Sequence, residues 1–396
     1  MRFDHLLAPR TQRMGASAIR EILKVVAQPG MISLAGGIPA PESFPLELFG
    51  SLTETVLSKY GAAALQYDRT EGFAPLQAAL AARLAQRGIA VTPAEVLITS
   101  GSQGALDALG KVLLAPGDRV AVEAPTYLGA LQAFNPYEPE YCTIATDDDG
   151  VIPEALDEVL ASGPVKFVYL VPTFQNPTGR SLPLARRQAI AGIIQRRETL
   201  VIEDDPYGEL RYRGTALPPL RTLAPEHVVY TSTLSKVLAP GLRLGFVVAP
   251  EPIGRWLVIV KQGVDLHSST FSQALAAEYL SGGHLDRHLP RILGFYRPRL
   301  EAILAAMEEH FPPGFRWSRP EGGMFLWVEG PEGLDTEARA SEAIGRGVAY
   351  VPGRFFFPHA GQGLATMRLN FTMADPETLG RAVRILGEVM AEGEVT

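Results

Sequence analysis

The chain is poor in most of what would assign it at sight to a specialised class. Its 396 residues include one cysteine, Cys142, so no internal disulfide forms, and no Cys or His stands at ligand spacing from it. The expected place of Cys142 is half-buried in a strand. The seven histidines are scattered; His284 and His288 fall four apart but lack a third ligand, which reads as a helix face rather than a metal site. Basic runs are missing too. Thirty-six basic residues against 43 acidic give a formal charge of −7, and no Lys/Arg cluster is long enough to follow a phosphate backbone, which argues against nucleic acid as a partner. No apolar run approaches the ~20 residues of a membrane span. The opening "MRFDHLLAPR" interleaves acid and base with too few apolar residues for a secretion signal, so the expected location is cytoplasmic. No repeat of fixed period occurs.

What is present is an ordinary globular composition, 46% hydrophobic and 20% charged, long enough for one large core and a smaller second one. From about residue 93, short apolar runs alternate with helical patterns, the rhythm of crossover units that build a mainly parallel sheet. Strands are expected at 96–99, 119–123, 166–171, 200–203, 228–231 and 244–249, with helices at 105–114, 127–134 and 184–197 between them. A long helix is expected from about 284 to 310. Beyond it, "FRWSRPEGGMFLWVEG", "GVAYVPG" and "ATMRLNF" read as strands broken by Gly and Pro, with helices near 335–346 and 376–392. The expected organisation is therefore α/β: an N-terminal segment, 1–45, lying across two lobes; a large domain, 46–290; and a small α+β domain, 291–396.

In an open parallel sheet, ligands bind beyond the carboxyl ends of the strands. After Thr99 comes "SGSQGA", small residues opening a helix whose free N–H groups make an anion site for Ser102 and Gln103 to complete. Tyr127 follows the strand ending at Glu123, and Asn176 sits in "PTFQNPTG" after Val171. "EDDPYGEL" supplies Asp204 and Tyr207, and "TSTLSKVLAPGLRLG" supplies Thr233, Ser235, Lys236 and Arg243. Singly, each has a plain explanation as turn chemistry, a helix cap or a solvated strand edge. Together, five successive strand ends offer an anion cradle, an aromatic face, an amide, a carboxylate with a tyrosine, and a lysine between two apolar runs, where an unpaired ammonium is costly. These groups suit a phosphorylated aromatic aldehyde held as an imine, pyridoxal 5′-phosphate. Lysine is the residue that forms an imine with a carbonyl. Hydroxyls and a guanidinium fork suit a dianionic phosphate, and a carboxylate keeps the ring nitrogen protonated so that the ring draws electrons.

"QNPTG", "EDDPY" and "STLSKVLAPGLRLG", in this order and spacing, resemble the fold type I, class I/II aminotransferases over nearly the whole chain. "SLAGGIPAPESFP", "LQYDRTEG", "TSGSQGALD" and "RPEGGMFLW" resemble the subgroup that holds α-aminoadipate and kynurenine/α-aminoadipate aminotransferases. The resemblance implies a pyridoxal-phosphate aminotransferase working by ping-pong half-reactions, 2-oxoglutarate/glutamate forming one pair and 2-aminoadipate, aromatic or branched-chain amino acids the other. It implies that Lys236 carries the cofactor and then moves protons, that Asp204 pairs with the ring nitrogen, and that Tyr207 and Asn176 bond the ring oxygen. Ser102, Gln103, Thr233, Ser235 and Arg243 would hold the phosphate, Thr233 standing where the family usually has serine. Arg368 in "TMRLNF" matches the arginine that grips the substrate α-carboxylate, with Gly37 beside it. Members are homodimers with composite sites, so Tyr67 would reach the partner's phosphate. Arg20, on the flank of an apolar helical face formed by Ile19, Ile22, Leu23 and Val26, matches an arginine that reads a distal carboxylate; a solvated flank residue is the plainer alternative. Two rivals share the fold: a β-eliminating or decarboxylating enzyme, because fold does not decide which Cα bond breaks, and the ligand-sensing module of a transcription regulator, which would require a DNA-binding domain ahead of it.

Overall fold

The computed structural model describes residues 3–15 and 30–392. Seven strands form the main sheet: β1 (Leu97–Thr99), β2 (Arg119–Glu123), β3 (Glu140–Ile144), β4 (Phe167–Leu170), β5 (Val201–Asp204), β6 (Val228–Thr233) and β7 (Gly245–Val248). Their order is β1-β7-β6-β5-β4-β2-β3. All neighbours pair in parallel except at β7, which runs antiparallel to both β1 and β6. The reversal matters for position. It brings the first residue of β7, Gly245, level with Thr99 and Thr233 at the ends of its neighbours, so the loop before β7 joins the strand ends that face the site.

The sheet forms because its strands are apolar on both sides, as a parallel sheet covered by helices requires. Side chains alternate between the two covers. Val120 and Val122 of β2 pack with Leu106 and Leu109 of the helix Gly101–Leu113, whereas Ala121 packs with Leu156, Ile190 and Ile194 on the other face. Helices Gly101–Leu113, Leu128–Phe134 and Leu184–Arg196 lie where the apolar periodicity anticipates them, with ends shifted by a few residues. Cys142 is half-buried in β3 and accepts a hydrogen bond from Arg119 Nε at 3.1 Å. His288 sits buried in the helix His284–His310 against the carbonyl of Ser43, while His284 stacks on Tyr279.

A second, four-stranded sheet contains β8 (Arg316–Trp317), β9 (Phe325–Glu329), β10 (Val351–Pro352) and β11 (Thr366–Asn370), in the order β8-β9-β11-β10 and antiparallel throughout. The helices His284–His310 and Pro376–Ala391 pack together beside it, burying Leu300, Ile303, Leu379, Val383 and Leu386. Residues 32–37 lead from the second sheet to the strand ends of the first, and Ala40 and Ser43 then bond to Tyr296 and His288 of the helix His284–His310. Ile32–Ser33 pairs with Val348–Ala349, and four residues further on the carbonyl of Gly37 accepts from Lys236. No helix among the described residues is long and apolar enough to cross a membrane.

Candidate active site

The strand ends and the second sheet enclose a cavity of about 410 Å³. Ser102, Gln103, Tyr127, Asn176, Asp204, Tyr207, Thr233, Ser235, Lys236, Arg243, Arg368 and Gly37 all line it, so twelve of the fourteen residues singled out in the sequence converge there. Tyr67 does not. Its ring is 79% exposed on the surface of its own chain, edge-on to His267. Arg20, with the apolar face around it, lies outside the described residues. A larger groove of about 640 Å³ runs past Arg180 and Arg319, but it contains none of these groups, and both arginines are paired with acids.

One end of the cavity is built for an anion. The helix Gly101–Leu113 opens directly on it, with the backbone N–H groups of its first turn free. Gly101 has φ +76, and a Cβ there would lie 2.6 Å from a terminal nitrogen of Arg243, so glycine lets the guanidinium close over the turn. Gly245 allows the helix to seat on β7: its Cβ would fall 2.4 Å from the carbonyl carbon of Gly101 and 2.5 Å from the nitrogen of Ser102. Opposite stand Thr233 and Ser235, hydroxyl oxygens 2.8 Å apart, the first also donating to Leu244. Gln103 is fixed by donating to the carbonyl of Gly129 at 2.7 Å.

At the centre is Lys236, on the turn Leu234–Lys236 that follows β6. Its Nζ donates to the carbonyl of Gly37 at 2.9 Å. Burial, and after it the positive charges of Arg368 and Arg243, hold its ammonium down at about 8. Asp204 closes the far side at the end of β5, 1% exposed. Tyr169 OH donates to Asp204 Oδ2 at 2.8 Å, which leaves Oδ1 buried without a partner. Burial chiefly raises this carboxyl to about 7. Tyr169 escaped the sequence reading; the signal was a lone hydroxyl in the otherwise apolar β4, on the face it shares with Asp204.

Arg368 enters from β11. Its guanidinium is 1% exposed, lies 4.2 Å from the centroid of the Phe325 ring and 5.0 Å from that of Phe356, and donates to Asn176 Oδ1 at 2.9 Å and Ala35 O at 2.6 Å. Its Nε has no partner among the described residues. Burial lowers it to about 10, so it stays charged at neutral pH. Asn176 Nδ2 donates to Tyr207 OH at 3.4 Å, and Gln175 pins the same loop by bonding Pro125 O, Thr178 N and Thr178 Oγ1. Ile38, Leu128 and Gln132 also line the wall; nothing in the sequence singled out these three side chains, because only the fold brings them here.

Among the described residues, none of the three cations, Lys236, Arg243 and Arg368, pairs with a carboxylate, and the one carboxylate on the wall keeps a free oxygen. An isolated cavity of this kind is costly. A dianionic phosphate, an aldehyde carbon, a ring nitrogen and a substrate carboxylate would satisfy the groups one for one, and the residues present thus fit pyridoxal phosphate.

Comparison with known proteins gives the same chemistry. The family model "Aminotransferase class I and II" matches residues 55–386. The aromatic-amino-acid aminotransferase 1 of Thermococcus litoralis is 46% identical, over 98% of this chain and 95% of that protein. The solved Pyrococcus horikoshii kynurenine aminotransferase, in complex with PMP, is 44% identical with a TM-score of 0.95, covering 99% of this chain and 98% of that one. LysN, the α-aminoadipate aminotransferase of Thermus thermophilus, solved with N-(5′-phosphopyridoxyl)-L-leucine, is 41% identical with a TM-score of 0.92, covering 98% of each chain.

Proposed function

The chain belongs to the class I and II aminotransferases, and from that premise we propose which residues divide the work and which amino acids they serve. Pyridoxal phosphate, when bound, supplies an electron-withdrawing ring that accepts the charge left when a proton departs the substrate Cα. The first turn of the helix Gly101–Leu113, with Ser102, Gln103, Thr233, Ser235 and Arg243, holds the phosphate. Tyr127 covers a ring face. Asp204 would offer its free Oδ1 to the ring nitrogen and keep that nitrogen protonated. Tyr207 and Asn176 hydrogen-bond the ring oxygen. Arg368 grips the substrate α-carboxylate through the donors that no protein acid occupies, beside Gly37. Lys236, whose ammonium burial and two arginines hold down at about 8 in the cofactor-free chain, would hold the cofactor and then move a proton to and from the substrate Cα as base and acid.

The observation that carries this reading is the set of three unpaired cations facing a carboxylate with a free oxygen. For substrates we infer a broad range: glutamate with 2-oxoglutarate as one pair, and 2-aminoadipate, aromatic or branched-chain amino acids as the other. Support comes from the apolar side chains of Ile38 and Leu128 on the wall, and from the aromatic, kynurenine and aminoadipate enzymes this chain resembles. A role in lysine biosynthesis, a cytoplasmic location and a homodimer with Tyr67 reaching the partner's site form part of the same proposal. So does a division into an N-terminal segment, 1–45, a large domain, 46–290, and a small domain, 291–396. Arg20 would then read a distal carboxylate.

The test is a panel of 2-aminoadipate, leucine, kynurenine and phenylalanine with 2-oxoglutarate as acceptor, run on wild type and Arg20→Ala. Glutamate formation from several donors is expected, with Arg20→Ala losing kcat/KM on 2-aminoadipate by about tenfold or more while sparing leucine. Release of ammonia in place of glutamate would point to elimination, and equal losses on both donors would make Arg20 structural.

A further inference from the structure

Beside Asp204 stands a second carboxylate for which the roles above provide no work. Asp205 is 3% exposed and does not line the cavity; alternation along the chain turns it, like Glu203, to the face opposite Asp204. A charged carboxylate beside a buried one makes the buried one harder to ionise. Asp204 feels this: burial lifts it most, the hydrogen bond from Tyr169 opposes the rise, and Asp205 adds to it.

Arg87 answers that charge from a distant part of the chain, directly after the helix Ala74–Gln86. One of its terminal nitrogens donates to Asp205 Oδ2 at 2.6 Å and the other to Tyr230 OH at 2.7 Å, while Tyr230 OH donates to the same Oδ2 at 2.9 Å. The three groups close a ring of hydrogen bonds. The other charged groups nearby are engaged elsewhere. Glu203 accepts from the backbone of Leu220 and Arg221, Glu209 pairs with Arg83, and Arg187 donates to Leu182, Pro218, Pro172 and Thr173. Burial works most strongly against the charge of Arg87, and Asp205, with smaller help from Tyr230 and Glu209, more than restores it. Space for the pair comes from Gly208, where a Cβ would lie 2.6 Å from both Arg87 and Asp205 Oδ1.

We propose that Arg87 is a positioning residue for the reaction: by neutralising Asp205 and tying it, through Tyr230, to the far face, it leaves Asp204 as the single net negative charge that meets the cofactor's ring nitrogen. The inference rests on the aminotransferase reading and gives a charge-balancing task to a residue outside the cavity.

The experiment is a pH titration of the visible absorbance of the protein loaded with pyridoxal phosphate, in wild type, Arg87→Met, Asp205→Asn and the double variant. Arg87→Met adds net negative charge behind Asp204, so protons in the cavity are held more tightly and the midpoint rises by roughly half a pH unit or more. Asp205→Asn strands the positive charge and moves it down, and the double variant returns towards wild type. An unmoved midpoint in both single variants, or single and double variants shifted alike, overturns the proposal. Should Arg87→Met fail to fold, the opposite shift in Asp205→Asn and its cancellation in the double variant decide the matter. A wild type without any visible band, or a band that survives Lys236→Ala, would instead sink the cofactor reading itself.

Discussion

Lys236 shows at the scale of one residue what the site costs the empty protein. Its ammonium is held at about 8, first by burial and then by two neighbouring cations, and no carboxylate among the described residues offsets it. A lysine depressed in the folded state weakens folding most where both states are protonated, below about pH 8; the penalty fades as the pH climbs towards the ordinary lysine range. Lys236→Met should therefore raise the stability of the cofactor-free protein at pH 7 by on the order of 1–2 kcal/mol, allowing for solvent in the cavity. The gain should shrink on moving to pH 10. Chemical denaturation at the two pH values measures it, and a gain independent of pH would show that the charge is not responsible.

At the scale of elements, the phosphate end depends on one helix sitting against one reversed strand. Gly245 begins β7 where a Cβ would meet backbone atoms of Gly101 and Ser102 below 3 Å, and backbone offers no rotamer by which to yield. Gly245→Ala should lift the start of the helix from the sheet, costing about 1–3 kcal/mol and weakening cofactor binding by about tenfold or more. Thermal melts and a spectral titration with pyridoxal phosphate would show both, and a variant that binds the cofactor as wild type does would rule out the steric account. Gly101 and Arg243, both at positive φ, complete the same local design: the glycine lacks the side chain that the guanidinium would strike.

For the whole molecule, the apolar side chains left outside mark the surface on which the proposed homodimer would form. Leu65, Tyr67, Val264 and Leu266 are exposed by 70%, 79%, 57% and 49%, and Leu65 and Tyr67 face one groove with His267, Ser269 and Phe271. The proposed homodimer should sediment at twice the 42.7 kDa of one chain. If Tyr67 serves the partner's cavity, a mixture of inactive Lys236→Ala and weakened Tyr67→Ala subunits should regain about a quarter of wild-type activity, through hybrids with one intact site. No recovery after subunit exchange would confine each site to its own chain.

The sequence by itself determined the alternation of strands and helices, because apolar periodicity and breakers are local, and it located ten cavity residues, because strand ends in such a sheet share one edge; Arg368 and Gly37 came from the motifs shared with the family. Tertiary structure decided what local patterns do not encode. Tyr169 meets Asp204 only through the pairing of β4 with β5, and Arg368 reaches Asn176 only because the second sheet packs over the first. Arg87 finds Asp205 across 118 residues of chain. Those contacts depend on register and packing between distant segments, where charge balance is settled by whichever groups the fold brings within a few ångströms.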